Sequence, residues 1–178
     1  MQPIRELVGR ELCWTQPSAM ARDYELRNGE SVVATLSFRS LFGSYATARA
    51  AEGAWTFKRT GFWKPSVTVR TEGADEEIAV FRNRTWSGGG TLELRDGGAL
   101  QANTNFWMSH LEFKDEREES LVSFRAVRGL IHLSADVEIA AAGARRDELP
   151  WIVALGWYLI VKMREDSTAA GGAAAAGG

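Results

Sequence analysis

The sequence predicts a mainly β protein: a closed antiparallel β-barrel around a central hydrophobic C-terminal α-helix. Three observations lead there. Residues 10–140 alternate apolar and polar positions with period two, broken by turn signals at short intervals. The segment from Leu149 to Val161 is apolar on every side, and a helix without a solvent face must be surrounded by protein or by lipid. That run ends at Lys162, well short of the ~20 residues that cross a ~30 Å hydrocarbon core. A sheet of this extent must cover its apolar face, and the helix is the one long apolar element available to do it.

The chain's 178 residues suit one domain. Hydrophobic content of 45% and charged content of 25% are those of an ordinary globular protein. A net charge of −2 and a pI near 5.8 exert no global pull toward nucleic acid. The single Cys13 excludes an internal disulfide framework. The N-terminal Met1–Val8 mixes charges among apolar residues and lacks a signal-peptide h-region, so a cytoplasmic location, peripheral to membrane at most, is expected. The predicted organisation is one barrel domain over 1–166, with the buried helix at about 148–164. A disordered Ala/Gly-rich tail is expected over 167–178.

The elements follow in chain order. Leu12 and Trp14 flank Cys13 on the opposite pleat. Tyr24–Leu26 and Val32–Ala34 bracket Asn28-Gly29, a type I′ hairpin signal. Val32, Ala34, Leu36 and Phe38 are expected on one face, with Val33, Thr35, Ser37 and Arg39 on the other. Trp55–Arg59 turns at Thr60-Gly61 and resumes as Val67–Arg70. Leu92 and Leu94 precede Asp96-Gly97-Gly98, which returns the chain to Leu100. Asp115–Glu119 is a charged tip between Phe106–Phe113 and Leu121–Arg125. Ile131, Leu133, Ala135, Val137 and Ile139 alternate with His132, Ser134, Asp136 and Glu138, one face core and one wet. Such a meander removes its edges by closing. Asp147 is the expected N-cap of the helix, with Pro150 in its first turn.

Three stretches carry a family resemblance. Tyr24-Glu25-Leu26-Arg27-Asn28-Gly29-Glu30-Ser31-Val32-Val33-Ala34 and Gly90-Thr91-Leu92-Glu93-Leu94-Arg95-Asp96-Gly97-Gly98 are strand–turn units. Glu148-Leu149-Pro150-Trp151-Ile152-Val153-Ala154-Leu155-Gly156-Trp157-Tyr158 is the hydrophobic helix. In this order they resemble the tubby C-terminal-like superfamily, nearest its LURP-one-related and phospholipid scramblase-like branches. The resemblance implies a barrel around its own C-terminal helix and, through the tubby domains, binding of phosphoinositide head groups by basic surface residues. The chain departs from the scramblase pattern: it has no Asp/Asn-rich calcium loop and no Cys-rich palmitoylation stretch. No tubby lipid-binding motif maps onto it residue by residue.

Among candidate sites, Lys58-Arg59-Thr60-Gly61-Phe62-Trp63-Lys64 gathers three cations and two aromatics around a turn. Cations suit phosphate, and Phe62 and Trp63 suit a bilayer interface; the plain alternative is a strand end with solvated charges. Arg82 and Arg84 extend this patch or pair with Glu76 and Glu77. His132, Ser134 and Asp136 share a strand face, but side chains in a row on one strand point parallel, whereas a triad converges. His110 and Glu112 lack a third metal ligand at a telling spacing. Gly88-Gly89-Gly90 lacks the ending of a phosphate loop, and Asp115–Glu119 lacks calcium-loop spacing. The expected function is therefore a non-enzymatic binding module for anionic phospholipid head groups or a protein partner. No catalytic residue, metal, cofactor or nucleic acid is called for, and oligomeric state is left open. The alternative is a tail-anchored protein with 149–161 in the membrane, Trp151, Trp157 and Tyr158 at its interfaces, and Lys162 and Arg164 snorkelling. A hydrolase-type enzyme ranks below both.

Overall fold

A computed structural model describes residues 1–61, 65–85, 89–105, 109–128 and 133–175. Twelve antiparallel strands follow one another around a closed barrel. They are β1 (Leu12–Thr15), β2 (Asp23–Asn28), β3 (Ser31–Phe38), β4 (Ala46–Ala50), β5 (Gly53–Thr60) and β6 (Ser66–Thr71). The second half comprises β7 (Glu77–Thr85), β8 (Gly89–Leu94), β9 (Ala99–Thr104), β10 (His110–Lys114), β11 (Ser120–Arg128) and β12 (Leu133–Ile139). Each strand pairs with its sequence neighbours, and β1 closes the ring against β12 through Leu12↔Val137, Cys13↔Asp136 and Trp14↔Ala135. Closure leaves no sheet edge for another chain to extend.

The period-two pattern sorts side chains as expected along β12, where Leu133, Ala135, Val137 and Ile139 are buried and Asp136 and Glu138 exposed. Along β3 it holds for Ala34, Leu36 and Phe38, which are buried, but not for Val32. Leu26 pairs with Ala34 and Arg27 with Val32, so Val33 is the extra residue of a bulge and turns inward. Val33 rather than Val32 is buried there. The turn that leads into β3 also differs from the type I′ expectation. Asn28 pairs with Ser31 around Gly29-Glu30, and only Gly29 has a positive φ, of 57°. That is the pattern of a type II′ turn, which needs glycine only at its first central position.

A short helix α1 (Ala141–Ala144) and the long helix α2 (Leu149–Ala175) complete the chain. Every residue of α2 from Leu149 to Val161 is buried, enclosed by strands from around the barrel. Trp157 stacks on Trp14 of β1 at 5.7 Å and meets Tyr24 of β2 edge-on. Tyr158 stacks on Phe38 of β3 and touches Phe57 of β5. Phe124 of β11 packs over Gly156. A 3₁₀ turn, Ile4–Leu7, packs against both helices with Ile4 and Leu7 fully buried. Its Ile4 N–H donates to Glu52 at 2.6 Å, and Arg5 pairs with Asp147. Asp147 is thus turned to Arg5, and α2 begins after Glu148, whose carbonyl accepts from Ile152 N–H. The helix also runs past the expected end at about 164, through Ser167 to Ala175, where a disordered tail was expected. Continuing an established helix adds one hydrogen bond per residue without a new nucleation cost, and alanine favours it.

Two consequences are measurable. A β-carbon at Gly156 would lie 2.3 Å from Phe124 Cζ. Gly156→Ala gains about 1 kcal/mol of helix propensity, but the overpacking costs about 1–3 kcal/mol beyond that. Its urea midpoint should fall; a midpoint at or above wild type would contradict the packing. Burial holds the Tyr158 and Tyr24 hydroxyls above the ordinary phenol range. The unfolded chain then gives up those protons first, so their stabilisation is complete below about pH 10 and is lost above it. Urea midpoints measured upward from about pH 9 should decline, and less steeply in Tyr158→Phe.

Candidate functional site

The two ends of the barrel differ in chemistry. Strand β1 runs toward the end where α2 emerges, so the connections β1–β2, β3–β4, β5–β6, β7–β8, β9–β10 and β11–β12 all open there. Their sequences contain no Asp or Glu. Every connection at the opposite end contains at least one acid: Glu30, Glu52, Glu72 with Asp75 and Glu76, Asp96, the Asp115–Glu119 tip, and Asp147 with Glu148.

At the helix-exit end, the two carboxylates of α2 are paired, whereas Asp23, which opens β2, is exposed. Glu165 of α2 accepts from Arg22 and from Lys162 at 2.5 Å. Asp166 accepts two hydrogen bonds from Arg59, at 2.7 and 2.9 Å. Tyr158 Oη donates to the Ser44 carbonyl at 2.6 Å, and Ser44 Oγ donates to the Arg59 carbonyl. These contacts tie the emerging helix to β5 and to the connections around Arg22 and Ser44. Beside them a narrow crevice of about 50 Å³ lies between Leu159, Lys162 and Met163 of α2 and the wall at Val67, Phe81 and Leu111.

The expected basic patch is divided by the pleat. Arg59 turns inward to Asp166, whereas Lys58 is exposed on the outer wall. Arg82 and Arg84 lie on the outer wall of β7. Arg82 pairs with Glu93 at 2.9 Å, and Arg84 donates to Thr91 and Gln101. Glu77 and Glu76 pair instead with Arg70 and Arg95. Phe62, Trp63 and Lys64 lie outside the described residues, as do Trp86 and His132. Ser134 and Asp136 follow each other on the outer face of β12. Glu112 is paired with Lys114 at 3.6 Å. Among the described residues no three His, Cys, Asp or Glu side chains are grouped to hold a metal.

The barrel register assembles one row that no single segment announces. Arg27, Cys13, Asp136, Arg125 and His110 stand side by side across β2, β1, β12, β11 and β10. They line an open concavity of about 750 Å³ on the outer wall. Its signal in the sequence is spread over five separated strands, so spacing along the chain could not reveal it. Cys13 and His110 are three strand steps apart, about 14 Å, too far for a thiolate–imidazole pair. Burial first, and then the charge and hydrogen bond of Asp136, push the Cys13 thiol up.

Comparison with protein-family models, with curated proteins and with solved structures finds no match to this chain. The geometry therefore carries the functional reading alone. It defines a closed barrel whose ends are chemically unlike: one acidic, and one free of acids in its connections.

The raised Cys13 pKa has a direct readout. Alkylation by iodoacetamide near neutral pH should be slower than that of an unperturbed thiol with pKa about 8.5. Asp136→Asn should quicken it. Alkylation of the native protein at the free-thiol rate would contradict the assigned surroundings.

Proposed function

We propose that this chain is a non-enzymatic binding module that meets an anionic phospholipid surface with the end of the barrel from which α2 emerges. The observation that carries this reading is the segregation of acids: none in the connections at that end, and at least one in every connection at the other. A negatively charged leaflet attracts exposed basic residues at about 1 kcal/mol each and repels carboxylates, so such a surface orients this barrel. Exposed cations stand at the favoured end: Arg39 in the β3–β4 connection, and Lys58 on the outer wall of β5. The carboxylates of Glu165 and Asp166 are neutralised by Arg22, Lys162 and Arg59. From Ser167 onward the emerging helix carries no charged side chain, so it opposes approach to a bilayer with no desolvation of charge.

The proposed setting is the cytoplasmic face of a membrane. The proposed kinship is with the tubby C-terminal-like superfamily, a placement supported by the closed barrel with a helix along its interior. The tail-anchor alternative needs 149–161 in lipid, whereas the barrel encloses those residues. No helix among the described residues is long and apolar enough to cross a membrane.

Sedimentation with phosphatidylcholine vesicles, with and without phosphatidylserine, tests the proposal. Binding should require the anionic lipid and weaken as salt shortens the screening length. Arg39→Glu with Lys58→Glu should weaken it by about tenfold or more. Equal binding to neutral and anionic vesicles, or none to either, would refute the reading.

A further inference from the structure

From the β3–β4 connection we infer that Leu41 and Phe42 form a preformed apolar wedge that enters the bilayer interface. This deepens the reading above and rests on it.

Phe42 is 98% exposed and Leu41 63% exposed, and Met20 of the neighbouring β1–β2 connection is 91% exposed. Single exposed apolar residues are ordinary, but a cluster of large ones at one end calls for an account. Here the backbone beneath them is tightly held. Arg22, with only 11% of its side chain exposed, donates from one guanidinium nitrogen to the carbonyls of Ser40 at 2.7 Å, Leu41 at 3.1 Å and Gly43 at 2.9 Å. Its other terminal nitrogen reaches Glu165, and its Cζ lies over the Phe38 ring, 3.9 Å from the centroid. Gly43 N–H donates to Ser40 Oγ, Arg39 N–H donates to the Tyr45 carbonyl, and Ser44 is hooked by Tyr158. The loop is thus fixed on both sides of its tip, and the tip presents the apolar side chains of Leu41 and Phe42 to solvent.

A loop ordered in advance leaves little conformational entropy to lose on binding. The occupant follows from charge. The surrounding connections hold no acid, and Arg39 adjoins the tip. An apolar wedge within such a rim suits an anionic bilayer, in which the ring passes below the head groups while the cations stay among them. The deepest apolar residues and the nearest cation come from one five-residue stretch, Arg39-Ser40-Leu41-Phe42-Gly43.

The test uses the full chain in a Cys13→Ser background with an environment-sensitive NBD label on Phe42→Cys. On phosphatidylcholine–phosphatidylserine vesicles the label should shift to the blue and be quenched by spin labels on the acyl chains. Leu41→Ser with Phe42→Ser should sediment with those vesicles about tenfold more weakly, at unchanged circular dichroism. Arg22→Lys keeps the charge but loses the three-carbonyl fork, and should fall between that variant and wild type. Should the label remain water-like, or the double variant sediment as wild type does, the wedge is overturned while the charge-based reading stands. Failure of the wild-type chain to bind these vesicles overturns both. Conversion of a dimer to a monomer by the double variant, with vesicle binding intact, gives the tip to a second copy and overturns the wedge alone.

Discussion

The whole structure depends on the need of one helix to be enclosed. Between Leu149 and Val161 α2 exposes no residue to water, and the barrel wall supplies its surroundings. The dependence is mutual. Trp14, Tyr24, Phe38, Phe57 and Phe124 point inward from five strands, and each meets the helix at Gly156, Trp157 or Tyr158, or packs on a ring that does. Gly156 is the one place where the helix backbone can approach Phe124 closely, because no β-carbon intervenes. Among the described residues the indole nitrogens of Trp14 and Trp157 find no hydrogen-bond partner. Each such loss costs about 1–3 kcal/mol, a cost offset by the parallel stacking and burial of two of the largest side chains.

Enclosure of the helix also gives the barrel its direction. The turn Ile4–Leu7 packs against the helices at the entry through Ile4 and Leu7, and Arg5 pairs with Asp147 there. At the exit the helix is held by charge and hydrogen bonding: Arg22, Arg59 and Lys162 take up Glu165 and Asp166, and Tyr158 takes up Ser44. These pairs are partly exposed, and each adds little stability. Their larger effect is positional. They link α2 to the β3–β4 connection, so the conformation of Leu41 and Phe42 depends on a helix more than a hundred residues later in the chain.

Much of the fold was legible because its physics is local. Alternation along β12, glycine at the turns and an all-round apolar helix each show within a dozen residues. What escaped was set by pairing partners. The bulge that turns Val33 inward exists because β2 and β3 differ locally in length, which neither strand reveals alone. The capping role expected of Asp147 gave way to Arg5, a residue near the other end of the chain. The extension of α2 to Ala175 reflects a nucleus already paid in the core, whereas the Ala/Gly composition argued for disorder. Within the candidate site, Lys58 and Arg59 were legible as cations but not as opposites across a pleat, though strict alternation predicts that adjacent residues diverge. The clamp of Arg22 on three carbonyls could not be read from spacing at all, since it depends on two connections being brought together by β2 and β3.

The charge pattern of the exit end follows from the same arrangement. On the proposed reading, the two carboxylates that α2 carries at this mouth would oppose binding if they were free. Here each is matched by a cation whose other contacts are structural: Arg22 with loop carbonyls, and Arg59 through its carbonyl with Ser44. The cations that hold the helix are therefore consumed internally, and among the described residues Arg39 and Lys58 stand exposed farther out on the rim and wall. On the proposed reading, an anionic surface would be met by the periphery of this end. Such a division lets the fold keep its inner ion pairs in place while the outer charges and the tip engage a partner.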